Sequence, residues 1–263
     1  VTTMRLAHPA YGQLRAVTDT ASVLLCDNPG LLTLEGTNTW ILRASGSDEF
    51  VVVDPGPDDA AHIERIAALG KVALVLISHR HGDHTDGIDK LVDATGAVVR
   101  SVGSGLLRGL GGPLTDGEVI DAAGLRITVL ATPGHTADSV SFLLDDAVLT
   151  ADTVLGRGTT VIDDEDGSLR DYLESLRRLA GLGARTVLPG HGPDLPDIRD
   201  VAAMYLAHRQ ERLDQVRDAL RELGQDAGAR RIVEHVYTDV DEKLWDAAEK
   251  SVQAQLDYLM SID

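Results

Sequence analysis

The chain has 263 residues, 43% hydrophobic and 25% charged, enough for one large core with a small addition and far from a disordered or fibrous composition. Its 42 Asp+Glu against 24 Lys+Arg give a formal net charge of −18, which repels polyanions unless a local basic patch overrides the field, and 2 Phe, 2 Trp and 5 Tyr offer few platforms for stacking bases. The single cysteine, Cys26, excludes an internal disulfide, residues 1–11 carry no apolar leader core, and no apolar run approaches the about 20 residues of a membrane span, so a cytoplasmic protein without membrane contact is expected.

Short apolar runs at 22–26, 37–42 and 50–53, punctuated by Asp27-Asn28-Pro29-Gly30, predict antiparallel strands. Past Asp54-Pro55-Gly56-Pro57 the period changes. Ile63, Ile66 and Leu69 recur at helical spacing before Gly70, predicting a helix over 58–69. A strand over 72–77, a short helix near 87–94 and a strand over 97–102 follow, then a Gly-rich loop or turn over 103–112 and strands over 125–131, 139–144 and 147–149. Ser168 reads as the N-cap of a third helix whose apolar stripe, Leu169, Tyr172, Leu173, Leu176 and Leu179, ends at Gly181 and Gly183. The strand 186–188 then leads into Pro189-Gly190-His191-Gly192. Mixed strands with interspersed helices predict an α+β fold, two sheets packed face to face with helices outside, a four-layer αββα sandwich. From 198 onward only helical patterns occur, near 200–223, 229–237 and 241–260, so the expected division is 1–197 and a small helical unit 198–263.

Chemistry concentrates in Ser78-His79-Arg80-His81-Gly82-Asp83-His84, three histidines and an aspartate at the end of an apolar run. Imidazole and carboxylate are ligand types that divalent zinc accepts, and unpaired ionisable groups beside a core strand are otherwise costly to desolvate; the bland alternative is a solvated His-rich turn. Three further candidates, His135, Asp152 and His191, each follow an apolar strand, where a rigid scaffold can gather ligands from distant positions. His135 and His191 both follow Pro-Gly, which permits a sharp turn. His8, His62 and His235 read as ordinary surface or hydrogen-bonded histidines. His208 and Arg209 could pack a helix or reach a substrate, and Arg209, Arg212, Arg217 and Arg221, interleaved with Glu211, Asp214, Asp218 and Glu222, read as a solvated helix face.

His79-x-His81-x-Asp83-His84 with His135, Asp152 and His191 resembles the metallo-β-lactamase superfamily, and Asn28-Pro29-Gly30, Gly36-Thr37-Asn38-Thr39, Val53-Asp54-Pro55-Gly56, Thr132-Pro133-Gly134-His135-Thr136 and Leu188-Pro189-Gly190-His191-Gly192 resemble its β-lactamase-like protein 2 branch. Tyr205-x-x-His208-Arg209-x-x-Arg212, Ala247-x-x-x-Ser251-Val252 and Asp166-Gly167 resemble the same branch, whose C-terminal unit is winged-helix-like. The resemblance implies two divalent metal ions, with His79, His81 and His135 on one, Asp83, His84 and His191 on the other and Asp152 bridging. A hydroxide shared between ions about 3.5 to 4 Å apart would then be the nucleophile. Zinc suits the ligand set best, although iron and manganese also accept it. Asp83 is the candidate proton acceptor, and Asp54 an outer carboxylate fixing an imidazole tautomer, with an Asx turn as its plain alternative. True β-lactamases of the superfamily lack the bridging aspartate, so Asp152 argues against antibiotic hydrolysis. The expected activity is hydrolysis of a small ester, thioester or lactone. The alternatives are a single-strand-directed endoribonuclease, which would make single-stranded RNA a partner, and a non-catalytic metal-binding interaction module.

Overall fold

The computed structural model describes residues 7–238 and 241–262, with Ala247 of the tail motif described in its backbone alone. Residues 1–6 of the segment read above for a leader lie outside the described residues. A first sheet runs in the order β1 (Leu14–Ala16), β2 (Ala21–Leu25), β3 (Asn38–Leu42), β4 (Glu49–Val53), β5 (Lys71–Leu76) and β6 (Val99–Arg100). The antiparallel ladder of β1 to β4 switches to parallel at β4–β5 and β5–β6, because α1 (Ala60–Ala68) and then α2 (Gly82–Thr85) and α3 (Ile88–Thr95) carry the chain back across the sheet. The second sheet has the order β11 (Thr186–Pro189), β10 (Ala147–Ala151), β9 (Val140–Leu143), β8 (Leu125–Ala131) and β7 (Val119–Ala122), with β10 and β11 parallel on either side of the crossover helix α4 (Leu169–Ala180). The tail comprises α5 (Ile198–Leu223), α6 (Ala229–Val236) and α7 (Trp245–Ile262).

Strand alternation sorts the buried side chains into the layers of the expected αββα sandwich. Val51 and Val53 of β4, Leu74 and Leu76 of β5 and Leu149 of β10 meet Trp40, Val129 and Phe142 between the sheets. Their strand neighbours Phe50, Val52 and Val75 face Ile63, Ile66, Ile88 and Leu91 of α1 and α3. On the far side Val148 and Val187 lie under Tyr172, Leu173 and Leu176 of α4, and that cluster continues through Ile198, Tyr205 and Val216 of α5 to Ile232 and Val252 of α6 and α7. Each such side chain contributes about 1.5 to 3 kcal/mol by leaving water. The helix predicted after Ser168 begins where the cap stands, with the Ser168 hydroxyl accepting from the Asp171 N–H at 3.3 Å.

Two strands carried too little pattern to predict: β1 has three residues, and β7 buries Ile120 alone. The strand expected over 97–102 is reduced to Val99–Arg100. It pairs with β5 on one flank, while on the other the Gly-rich segment folds back through a 3-10 turn, Ser104–Leu106, and Arg108 exchanges two backbone hydrogen bonds with Val99. No helix among the described residues is long and apolar enough to cross a membrane.

Candidate metal centre

Residues just beyond the C-terminal ends of five strands converge: Asp54 after β4, residues 78–84 after β5, His135 after β8, Asp152 after β10 and His191 after β11. The sheets are pinned together at this edge. Val140 N–H donates to the Ser78 carbonyl at 2.9 Å, Asn38 N–H to the Gly190 carbonyl at 2.8 Å, and the Trp40 indole N–H to the Pro189 carbonyl at 3.0 Å.

An outward hydrogen bond sets the tautomer of every imidazole at the centre. Asp54 Oδ2 accepts from the Ser78 hydroxyl at 2.6 Å and from His84 Nδ1 at 2.9 Å, so the Ser78 oxygen in turn accepts from His79 Nδ1 at 2.9 Å. His135 Nδ1 donates to the Val161 carbonyl at 2.6 Å and His191 Nδ1 to the Gly36 carbonyl at 3.0 Å. His81 is reversed, its Nε2 donating to Asp163 Oδ2 at 3.2 Å, which leaves Nδ1 free. The five free nitrogens point inward: His81 Nδ1 stands 3.1 Å from both His79 Nε2 and His135 Nε2, and His84 Nε2 is 3.3 Å from His191 Nε2. Lone pairs at such distances repel unless positive charge lies among them.

The carboxylates complete the arrangement. Asp83 Oδ2 lies 3.1 Å from His191 Nε2 and 3.4 Å from His84 Nε2. Asp152 reaches both histidine groups, 3.5 Å from His84 Nε2, 3.4 Å from His191 Nε2 and 3.8 Å from His135 Nε2, and its buried Oδ1 has no hydrogen-bond partner. A carboxylate oxygen left so in the interior is costly unless a cation faces it. The donor atoms fall into sets each within 4.8 Å: His79, His81 and His135; Asp83, His84 and His191; and, spanning them, His79, His84 and Asp152. All are imidazole nitrogens or carboxylate oxygens, the donors of zinc and other first-row divalent ions. The field favours positive charge at the centre. Burial opposes protonation of His84 and His191, yet the Asp152 carboxylate outweighs it, holding His84 above its ordinary value and pushing His191 up to about 9. Burial likewise opposes ionisation of Asp152, but His191 and His84 hold it well below the usual carboxylate range. His79 and His135 are pushed down by burial.

The two Pro-Gly-His segments need their glycines for different reasons. Gly134 has φ 135° and passes so close to α4 that a Cβ would stand 2.3 Å from Tyr172 Cα. Gly190 is absent from the left-handed region, but its Cβ would lie 2.3 Å from Asp152 Oδ1 and 2.9 Å from a ring carbon of His84. Asp54 and Ala151 do adopt positive φ, 54° and 43°, at the points where β4 and β10 deliver their carboxylates. Such conformations cost about 1 to 3 kcal/mol each and persist where surrounding contacts dictate them.

All eight residues singled out from the sequence, His79, His81, Asp83, His84, His135, Asp152, His191 and Asp54, come together here. Asp163 was missed. It orients His81 and also accepts from Arg80, which reaches Asp166 as well. Its one visible sign was its place in the acidic run 163–166 ahead of Gly167. His62 takes the hydrogen-bonded of the two expected forms: it is buried, with Nε2 2.8 Å from the Thr39 hydroxyl. The reading of a solvated arginine face holds for Arg217 and Arg221, paired with Asp214 and Asp218; Arg209 instead follows the helix-packing alternative, 3% exposed on α5 and stacked over the Tyr172 ring of α4. His208, its neighbour, is half-buried.

The sequence model of the metallo-beta-lactamase superfamily matches residues 32–191, the span that holds every one of these donors. The chain belongs to the metallo-beta-lactamase superfamily. A second model, the beta-lactamase associated winged helix domain, matches 229–261, which covers α6 and most of α7. Within the superfamily the chain is 30% identical over 241 residues to the Beta-lactamase-like protein 2 homolog of Caenorhabditis elegans, covering 86% of this chain and 79% of that one. It is 32% identical over 213 residues to the Atrochrysone carboxyl ACP thioesterase of Aspergillus fumigatus, covering 76% of this chain and 64% of that one. A solved beta-lactamase domain protein from Burkholderia ambifaria shares the superfamily fold with a TM-score of 0.81 at 22% identity, over 97% of this chain and 90% of that chain.

Proposed function

We propose that this superfamily member is a hydrolase of small acyl substrates, thioesters or esters, working with two divalent cations, zinc by the chemistry of the donors. The observation that carries this reading is the set of five imidazole lone pairs and two carboxylates turned toward one another. His79, His81 and His135 would hold one cation, Asp83, His84 and His191 the other, and Asp152 both. Bound there, two divalent ions supply a water nucleophile near neutral pH and a positive field for the oxygen that gains charge. Asp83 is the more open of the two carboxylates, 28% exposed in its side chain against 13% for Asp152, which supports it as the group that would orient the incoming water and take its proton.

Charge favours acyl chemistry over RNA cleavage. Beside the centre, sharing Asp163 with it, a cleft of about 830 Å³ runs between the 162–171 segment and α7. Its lining has Asp163, Asp164, Asp171, Asp246, Glu249 and Asp257 against Arg170 and Lys250. Cations around the site are matched by carboxylates: Arg80 by Asp163, Glu165 and Asp166, Arg157 by Glu35 and Lys250 by Asp164. A phosphodiester backbone needs the opposite field. The thioesterase named among the relatives acts on an acyl thioester, which supports the same choice.

The test is a panel of acyl thioesters, lactones, single-stranded RNA and a cephalosporin, run with metal content measured on wild type and Asp152→Ala. Wild type should carry two ions and turn over a thioester or ester, and Asp152→Ala should lose an ion and on the order of 10²-fold or more in kcat/KM. Activity surviving removal of the metals, or cleavage of RNA with the acyl substrates inert, overturns the proposal.

A further inference from the structure

Between Asp152 and Asp163 the chain has neither helix nor strand, yet it serves three of the seven donors. Asp152 begins it, the Val161 carbonyl fixes the tautomer of His135, and Asp163 fixes that of His81. What holds this segment comes largely from the α4–α5 side. Arg209 Nη2 donates to the Thr160 carbonyl, and the Thr160 hydroxyl donates to the Asp152 carbonyl at 2.7 Å. Tyr205 clasps Leu155, its hydroxyl accepting from the Leu155 N–H at 3.1 Å and donating to the Leu155 carbonyl at 3.2 Å. Tyr172 of α4 donates to the Thr153 carbonyl at 2.7 Å, and its ring lies 5.0 Å beneath the Arg209 guanidinium.

Arg209 is an expensive residue in that place. Its side chain is buried, its Nε has no hydrogen-bond partner, and a leucine or methionine would join α5 to α4 without desolvating a charge. Packing alone does not account for it. We propose that Arg209, with Tyr205, is a positioning residue of the metal centre: α5 braces the 152–163 segment so that Asp152, His135 and His81 present their donor atoms to the ions. This rests on the two-cation reading above. It makes the helix that lies between the two matched family regions part of the site rather than an appendage.

The test measures zinc affinity by competition with a chromophoric chelator, alongside the visible spectrum of the cobalt-substituted protein, for wild type, Arg209→Met, Arg209→Lys, Tyr205→Phe and Leu213→Ala. Leu213 is 2% exposed, one turn further along α5 in the same apolar cluster, so its truncation weakens the fold without removing the brace. Arg209→Met should weaken zinc binding by about tenfold or more, as loss of an outer support to a ligand does, and alter the cobalt spectrum. Arg209→Lys should recover part of the loss, and Tyr205→Phe should fall in the same direction by a smaller factor. Leu213→Ala should lower thermal stability with zinc affinity within twofold of wild type. If Arg209→Met is too unstable to load, Tyr205→Phe against Leu213→Ala decides. Two ions bound with wild-type affinity after either brace is removed, or equal weakening by Leu213→Ala, overturns the inference and leaves the two-cation reading standing. Fewer than two ions in wild type overturns both.

Discussion

At the scale of single residues, the centre depends on the oxygens that tell each histidine which nitrogen to leave free. Asp54 was legible through the family resemblance of Val53-Asp54-Pro55-Gly56, with an Asx turn as the alternative, and it accepts from Ser78 N–H as well as from the two side chains. The Val161 and Gly36 carbonyls were illegible because any residue supplies a carbonyl, and Asp163 because one aspartate in an acidic loop looks like its neighbours. His62 shows the same logic away from the centre. The Thr39 hydroxyl donates to the Asp54 carbonyl at 2.8 Å, so it accepts from His62 Nε2, and the buried Nδ1 stays unprotonated with no partner. Burial pushes the His62 pKa down to about 4, Arg65 lowering it further and Asp59 opposing. Below the unfolded value of about 6.5 the unfolded chain takes up a proton that the native state refuses, so stability is full above that pH and is lost as pH falls toward 4. The loss amounts to up to about 3 kcal/mol. Urea unfolding of the metal-free protein should show wild type losing that increment between pH 7 and 4 relative to His62→Gln, whose amide can still donate to Thr39. Parallel pH profiles of the two proteins would contradict the burial argument.

At the scale of elements, the longer helices announced themselves by apolar period, with an N-cap legible at Ser168, while the four-residue α2 and the edge strands gave no signal because three or four residues have no period to read. The loops that deliver donors were legible as turns, not as shapes. Pro-Gly before His135 and His191 looked like one device used twice, whereas Gly134 answers to the backbone of α4 and Gly190 to the crowding of Asp152 and His84. A substitution separates conformational strain from close approach. Gly158 has φ 73° with open space around its absent Cβ, so Gly158→Ala carries the backbone penalty alone, about 1 to 2 kcal/mol. Gly134→Ala adds a collision with Tyr172 N and Cα, which belong to a helix and cannot give way as a flexible side chain would. It should cost at least about 3 kcal/mol in urea unfolding, in the range of other severe backbone lesions. It should also weaken metal binding, because His135 follows directly. Equal losses for the two alanines would mean that α4 moves aside, and the close approach would then have no bearing on the site.

At the scale of the whole molecule, the purely helical pattern after 198 predicts a small second unit, while periodicity reports the faces an element hides and not what hides them. In the structure one apolar cluster runs from Val148 and Val187 of the second sheet through Tyr172 and Leu176 of α4 into Tyr205, Leu213 and Val216 of α5, and on to Ile232, Val252 and Leu259. Ile198 and Tyr205 are 0% and 2% exposed, so parting the tail from the sheet would open apolar surface on both sides of the cut. Such a shared core should couple unfolding of the tail to that of the sandwich in a single transition. The two tryptophans report on the two parts separately: Trp40 lies between the sheets, and Trp245 opens α7 with the Arg230 guanidinium 5.3 Å from its ring centroid. Single-tryptophan variants Trp40→Phe and Trp245→Phe, each followed by fluorescence and by far-ultraviolet circular dichroism during urea unfolding, should give coincident transitions by both probes within each protein. A Trp245 signal that changes at lower urea than the circular dichroism would show the tail leaving first. The brace that Arg209 and Tyr205 place on the 152–163 segment would then be released while the sandwich stands, and zinc affinity would fall at that same lower urea concentration.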